Sequence, residues 1–310
     1  MIHYFTLKNG IVQQAHGTDF DKNSVIWVDL LSTSENEKKH VEKVFNVELF
    51  TKQESEEIET SSKYFETADE IGINLHYLSY DFETYQNEVV SFIIKDKILI
   101  TQRDTQLRTF DETAKKVKLG KPQDGDDIFL LLLDARIDYD ADLLEIVTAN
   151  IGTLSKEIYK AKHLHRDILL RIAKLQDTTI VIRDNVIEKQ RVLSAMLKSK
   201  KFPKEDLDKI LIMNTDVSSL LEHSGFSFDR LEFLQSTFLG LVDMEQNRVM
   251  KFFTVMTVIF MPPTLIAGTY GMNFKFMPEL GKTWGYPFAL GLMILSVSTI
   301  LFFFKRKKWL

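Results

Sequence analysis

Two apolar stretches towards the C-terminal end dominate the pattern of hydrophobic and polar positions. Phe252–Tyr270 runs for 19 residues without a charge, and Pro287–Phe304 for 18. As helices they would extend roughly 27–28 Å, against a bilayer hydrocarbon core of about 30 Å. The 16 residues between them, Gly271 to Tyr286, carry only Lys275, Glu279 and Lys282 as charges. So short a connection makes the two spans antiparallel neighbours, with Trp284 and Tyr286 at the height of an aromatic belt. Four consecutive cations, Lys305-Arg306-Lys307-Lys308, follow the second span. The positive-inside rule makes this tail cytoplasmic, and two spans return the N-terminal part to the same side. The expectation is a multi-pass membrane protein with both termini cytoplasmic and the 271–286 loop outside.

Upstream the pattern changes twice. Residues 1–127 read as a cytoplasmic α/β domain: strand-like runs rich in β-branched and aromatic residues cover Ile2–Leu7, Val25–Leu30, Ile71–Phe82, Val89–Ile94 and Ile98–Thr101. Ser34 followed by Glu37 predicts a capping box opening a helix through Val44. From Ile128 to Lys200 there is no proline and one glycine, Gly152, and apolar residues recur at helical spacing, as at Leu144, Val147, Ile151, Leu154 and Ile158. That length predicts a long-helix hairpin over 128–202, with its turn near Gln176–Thr179. Pro203 then suits the first turn of a new helix. It continues as a stalk over 203–251, entering the first span, 252–270, without a break. The loop 271–286, the second span 287–304 and the tail 305–310 complete the chain. The fold class is thus α+β, a sheet with long helices, joined to a stalk helix and two C-terminal transmembrane helices.

Composition adds limits. The net charge of -5 is mild and gives no indication of nucleic acid as a partner, and the absence of cysteine excludes disulfides and thiolate metal sites. The N-terminal residues lack the pattern of a signal peptide, so the C-terminal hairpin is expected to direct insertion. No Gly-rich phosphate loop, HExxH motif or nucleophile elbow occurs, and no catalytic constellation supports an enzyme.

The motif Tyr270-Gly271-Met272-Asn273-Phe274 follows the first span, with Met277-Pro278-Glu279-Leu280 beyond it, Met261-Pro262-Pro263-Thr264 upstream and Trp309-Leu310 at the end. In this arrangement the chain resembles the CorA family of magnesium channels, most densely from about Leu220 onwards. The resemblance implies a funnel-shaped homopentamer in the cell (inner) membrane. It would admit Mg2+, and Co2+ and Ni2+ as well, and be closed by cytoplasmic Mg2+ bound between subunits. The nearest alternative is a zinc transporter of the ZntB type, which shares the architecture and the Gly-Met-Asn tripeptide. A rival of another class is a membrane-tethered structural or signalling protein whose hairpin is only an anchor.

Two spans cannot enclose an aqueous path, so a pore requires several copies. Asn247, Met250, Phe253, Thr257, Met261, Thr264 and Gly268 are spaced by three or four residues and share one face of a helix. Spacing alone favours helix-packing or lipid-facing roles for them; the resemblance reverses that preference, since in CorA proteins the matching face lines the pore. Rings of Met250, Phe253 and Met261 would then gate by dewetting. Gly271, Met272 and Asn273 form the expected selectivity filter. Asn273 would hold the ion through its water shell, since Mg2+ dehydrates reluctantly. The competing reading is a plain helix end with Gly271 in the left-handed cap position, which is compatible with a filter. Glu279 would draw cations to the mouth, and Lys275 opposes it.

Glu35–Glu70 holds 11 acids against 5 lysines, and Asp124–Glu145 holds 8 acids against the single cation Arg136. Such runs are commonly solvated faces. The second is dense enough that repulsion between copies would favour a bridging divalent cation. With the resemblance, Asp124, Asp126, Asp127, Asp134, Asp138 and Asp216 become the expected ligands of a regulatory Mg2+.

Overall fold

The computed structural model describes the chain except residues 16–20, 57–62, 82–83, 161–164, 203, 274 and 308–310. Two compact units result, Met1–Gln235 and Ser236–Leu310.

The first unit is built on a seven-stranded sheet. Its strands are β1 (Ile2–Lys8), β2 (Ile11–Ala15), β3 (Val25–Leu31), β4 (Tyr64–Glu66), β5 (Glu70–Asp81), β6 (Thr84–Lys95) and β7 (Ile98–Arg103). Their order is β2-β1-β3-β7-β6-β5-β4, and only the β3–β7 pairing is parallel. β3 reads Val-Ile-Trp-Val-Asp-Leu-Leu and is buried from Val25 to Leu30, as a central strand covered on both faces must be. One cover is α1 (Glu35–Phe45), whose Val41 and Phe45 join Tyr4, Val28, Leu30, Ile93 and Ile100 in a core cluster. Ser34 and Glu37 close the capping box that starts this helix. A second aromatic cluster holds Trp27, stacked 4.2 Å from Phe5, with Phe92, Phe110 and Phe129. It involves α3 (Arg108–Leu119) and α4 (Gly125–Lys160). β2, β4, the short α2 (Lys52–Glu56) and α3 are not expected from the sequence pattern; the first three are too short to show a period.

Asp29 is the polar exception in β3. Its carboxylate accepts from Arg103 Nε at 3.1 Å and Nη2 at 2.8 Å, and from Thr101 Oγ1 at 2.8 Å. Burial alone would raise its pKa; the hydrogen bonds of His3, Arg103 and Thr101 and the Arg103 charge outweigh it and hold the group below its ordinary value.

α4 and α5 (Arg166–Met196) form the long hairpin, and here the predicted turn is misplaced. Gln176–Thr179 lies inside α5, which starts at Arg166 with His165 extended at its N-cap. The hydroxyls of Thr178 and Thr179 donate to Lys174 O and Leu175 O at 2.9 and 2.7 Å, which lets both residues stay helical and buried. A polar run mid-helix was therefore mistaken for a turn.

The hairpin is tied to β5 by buried charges. Arg136 and Asp140, one turn apart on α4, form an ion pair, and Lys189 of α5 lies 3.0 Å from the second Asp140 oxygen. All three are at most 1% exposed. Arg136 Nη1 donates to Leu78 O at 2.8 Å and Lys189 Nζ to His76 O at 3.2 Å, so each cation also binds a β5 carbonyl. Beside them Glu188 accepts from the His76 amide at 2.7 Å and pairs with Lys63 at 3.0 Å.

α6 (Lys204–Tyr270) is one helix of 67 residues that contributes to both units. The expected first-turn role of Pro203 lies outside the described residues. In the second unit α6 is followed by the loop and by α7 (Gly285–Arg306). Both helices are long and apolar enough to cross a membrane, with mean hydropathies of 1.7 and 2.2 over their most apolar windows. Lys305 and Arg306 fall in the last turn of α7, where cations complement the helix dipole; Lys308 and the terminal Trp309-Leu310 lie outside the described residues.

Removing the Asp140 carboxylate leaves two buried cations without their counter-charge, an effect of about 3–5 kcal/mol. Asp140→Ala is expected to lower the midpoint of thermal unfolding markedly, and an unchanged midpoint would contradict the bridging role.

Candidate functional site

The stripe predicted on the first span lies entirely on α6. Asn247, Met250, Phe253, Thr257, Met261, Thr264 and Gly268 are all exposed in a single chain, Met261 at 68%. The most apolar part of α6 is almost wholly uncovered within the chain; Val255, which is not on the stripe, is buried there. The face has no carboxylate and no cation, and its two threonine hydroxyls are satisfied locally. Thr257 Oγ1 donates to Phe253 O at 2.9 Å and Thr264 Oγ1 to Phe260 O at 2.7 Å. Each hydroxyl thereby spends its one proton on the backbone and presents lone pairs outward. Pro262 and Pro263 stand inside the helix and have no N–H, so the carbonyls of Val258 and Ile259 lose their usual amide partners.

α6 ends at Tyr270, immediately before Gly271-Met272-Asn273. Gly271 N–H still donates to Ala267 O at 2.8 Å, and Met272 N–H donates to Thr269 O at 3.3 Å, a tighter closing turn. Gly271 is not among the residues with positive φ, so the left-handed cap expected there does not form. The tightened turn takes up the last amides, and no left-handed residue is needed. Gly271, Met272 and Asn273 are exposed; Phe274 lies outside the described residues. In the loop, Leu280 N–H donates to Met277 O and Lys282 N–H to Glu279 O, both at 3.2 Å, which folds the half-buried Glu279 into a compact turn.

The acids assigned to regulation separate by role. Asp124 caps α4: its Oδ1 accepts from Asp127 N–H at 3.2 Å and its Oδ2 pairs with Lys97 at 3.1 Å. Asp127 accepts from Gln123 N–H at 2.9 Å and pairs with Lys209 of α6 at 3.2 Å. Asp126 is pushed up to about 6, first by burial and then by Asp124, Asp206 and Asp127. Asp134 is raised by burial, then by Asp138, with a smaller contribution from Asp216. A cavity of about 490 Å³ opens beside Asp127 and Asp134, with Lys116 and Lys209 at its edge and Leu130 and Met213 in its wall. Among the described residues no three His, Asp or Glu side chains of one chain come together to hold a metal ion.

The sequence reading also counted Asp140 among the surface acids, but it is buried and paired. The opposite charges of Arg136 and Asp140 at helical spacing in an apolar run were the available signal.

The family described as CorA-like Mg2+ transporter protein matches residues 22–306. The chain belongs to the CorA family. It is 37% identical to a magnesium transport protein CorA of Wolinella succinogenes over 326 aligned positions, covering 100% of both chains. The complete structure of the CorA magnesium transporter from Methanocaldococcus jannaschii superposes with a TM-score of 0.86 at 18% identity, covering 100% of this chain and 99% of that one. The ZntB cytoplasmic domain from Vibrio parahaemolyticus matches with a TM-score of 0.65 at 10% identity, over 78% of this chain and 98% of that one. At that identity the likeness is one of fold alone. CorA membership and the CorA fold bear out the resemblance carried by Gly271-Met272-Asn273.

The raised Asp126 makes a signed prediction. The folded protein holds this proton more tightly than the unfolded chain, so its contribution to stability is present at low pH and declines as pH rises from about 4 to about 6. Asp126→Asn should raise the unfolding midpoint at pH 7.5 and leave it nearly unchanged at pH 4. Equal shifts at both values would show that burial and neighbouring acids do not disfavour the charged form of Asp126.

Proposed function

We propose that the chain assembles as a homo-oligomer, a pentamer on the family pattern, and forms a channel for hydrated Mg2+. The ion enters the cytoplasm down its electrochemical gradient, and Co2+ and Ni2+ pass as well. The assembly sits in the cell (inner) membrane with both termini cytoplasmic. The observation that carries this reading is the charge-free, uncovered α6 face that runs straight into Gly271-Met272-Asn273 in a member of the CorA family.

The chemistry of the face suits the ion. A hydrated Mg2+ presents water protons outward, so its wall needs acceptors more than charges. Thr257 and Thr264 offer oxygen lone pairs because their protons are already committed. Asn273 adds a neutral amide oxygen at the filter, with Gly271 and Met272 shaping the turn, and a neutral ring releases the ion again. Asn247 and Gly268 bracket the stripe. Rings of Met250, Phe253 and Met261 form the dewetting gate. The Val258 and Ile259 carbonyls, which would be costly against lipid, favour a wet environment for this part of α6. Glu279 concentrates cations at the mouth against the opposing charge of Lys275. The membrane potential supplies about 2.3 kcal/mol per charge per 100 mV, twice that for a divalent ion.

Cytoplasmic Mg2+ closes the channel by bridging acids of neighbouring copies. Asp126, Asp134, Asp138 and Asp216 are the principal ligands of this reading. Asp124 and Asp127 contribute to the field while remaining tied to their caps and lysines. The smaller part of the raised pKa values at Asp126 and Asp134, which after burial comes from neighbouring acids, supports it, since a divalent cation would relieve that repulsion.

Purified protein in liposomes lacking internal Mg2+, held at fixed potential, tests the filter. Asn273→Ala should reduce Mg2+ influx by about tenfold or more. Equal influx would remove Asn273 from the filter, and none from either protein would favour the tethered-anchor reading. For the gate, Asn substitutions at Asp126, Asp134, Asp138 and Asp216 should preserve conduction at internal Mg2+ concentrations that close the unsubstituted channel. Unchanged inhibition would remove these ligands.

A further inference from the structure

The turn carrying Glu279 is packed against the start of α7 in a way that only glycine permits. Gly285 is the one buried residue of α7, a helix otherwise exposed or partly exposed in the single chain. A Cβ built on Gly285 would overlap the carbonyl oxygen of Glu279 and lie 3.1 Å from its carbonyl carbon. These are backbone atoms and have no rotamer by which to move aside. The same Glu279 oxygen accepts from Lys282 N–H at 3.2 Å, and Gly285 N–H donates to Lys282 O at 3.1 Å. Glu279, Lys282 and Gly285 thus form one closed unit of backbone contacts.

We propose that Gly285 is a positioning residue for cation capture: by admitting the Glu279 carbonyl against its own Cα, it fixes the turn that sets the Glu279 carboxylate at the outer mouth. The role is distinct from flexibility, because Gly285 is helical and has no positive φ. It is also distinct from a general preference of α7 for small residues. At Gly291, on the same helix, an added Cβ meets nothing within 4 Å. The inference rests on the reading of residues 271–286 as the outer mouth of a Mg2+ channel.

The test compares Gly285→Ala, Glu279→Gln, their combination and the control Gly291→Ala in the full-length protein, with assembly checked by size-exclusion chromatography. Two readouts are taken: Mg2+ influx into liposomes against external Mg2+, and amide hydrogen exchange over residues 277–286. Gly285→Ala should raise the half-saturating Mg2+ concentration about fivefold, as Glu279→Gln does, with maximal influx held within about twofold. The combined variant should be no worse than Glu279→Gln alone, and Gly291→Ala should behave as the unsubstituted protein. Exchange over 277–286 should accelerate about tenfold in Gly285→Ala, reporting the opened turn.

Unchanged exchange in Gly285→Ala would overturn the packing claim whatever the flux. Faster exchange with an unchanged half-saturation, a loss confined to maximal influx, or indifference to Glu279→Gln would overturn the positioning role. No influx from the unsubstituted protein would instead defeat the channel reading, and with it any role in capture. The exchange measurement still reports on the turn by itself, so the two failures are told apart.

Discussion

Hydrocarbon offers no partner to a backbone N–H or C=O, and the C-terminal quarter of this chain is organised by that constraint. It makes Phe252–Tyr270 and Pro287–Phe304 helical throughout, and it explains the behaviour of their few polar side chains. Thr254, Thr257, Thr264 and Thr269 on α6, and Ser298 and Thr299 on α7, each return their hydroxyl proton to the carbonyl one turn back. Only at Pro262 and Pro263 is the ladder interrupted, and there the chain must find other donors. The same economy governs the turn after α6. Its amides close onto Ala267 and Thr269, and the loop closes onto Glu279 and Lys282.

The first unit obeys the related rule for buried charge. Asp29 with Arg103, Asp140 with Arg136 and Lys189, and Glu188 with Lys63 and His76 are taken out of water only in company, and each set spans elements distant in sequence. A lone member would cost more than the hydrophobic packing around it returns, so these sets specify which helix lies on which strand. Glu188 is held down to about 2: burial opposes ionisation, but the His76 side chain and amide and the Lys63 charge outweigh it. Its stabilising contribution is therefore present above the ordinary carboxylate range and lost as pH falls through about 2.

The acids beside α4 present the opposite case. Asp126 and Asp134 carry raised pKa values first because partial burial disfavours their charge, and then because neighbouring carboxylates repel them. Lys97, Lys209 and Lys116 relieve the field only in part.

Much of the local structure was legible from sequence. Charge-free runs of 18 and 19 residues, alternating β-branched strands and the Ser34–Glu37 box are short-range signals, readable because one element writes its whole period into consecutive residues. The stripe from Asn247 to Gly268 was likewise legible as one face of a helix, because three- and four-residue spacing defines one. Legibility failed where a residue's partner lay far along the chain. The hairpin turn was misplaced because Thr178 and Thr179 look like loop residues until their hydroxyls are seen bonded to Lys174 and Leu175. Asp140 looked like surface because Lys189 is 49 positions away. The close approach of Gly285 to Glu279 depends on a folded turn that no periodicity records. The sequence by itself determined the two apolar C-terminal helices, most of the strands and the long helices, and the motif that carries the family resemblance, since each depends on local spacing and solvent preference. The tertiary structure alone decided which acids are paired, which are strained by neighbours and which glycine carries a contact, because charge and packing act through space.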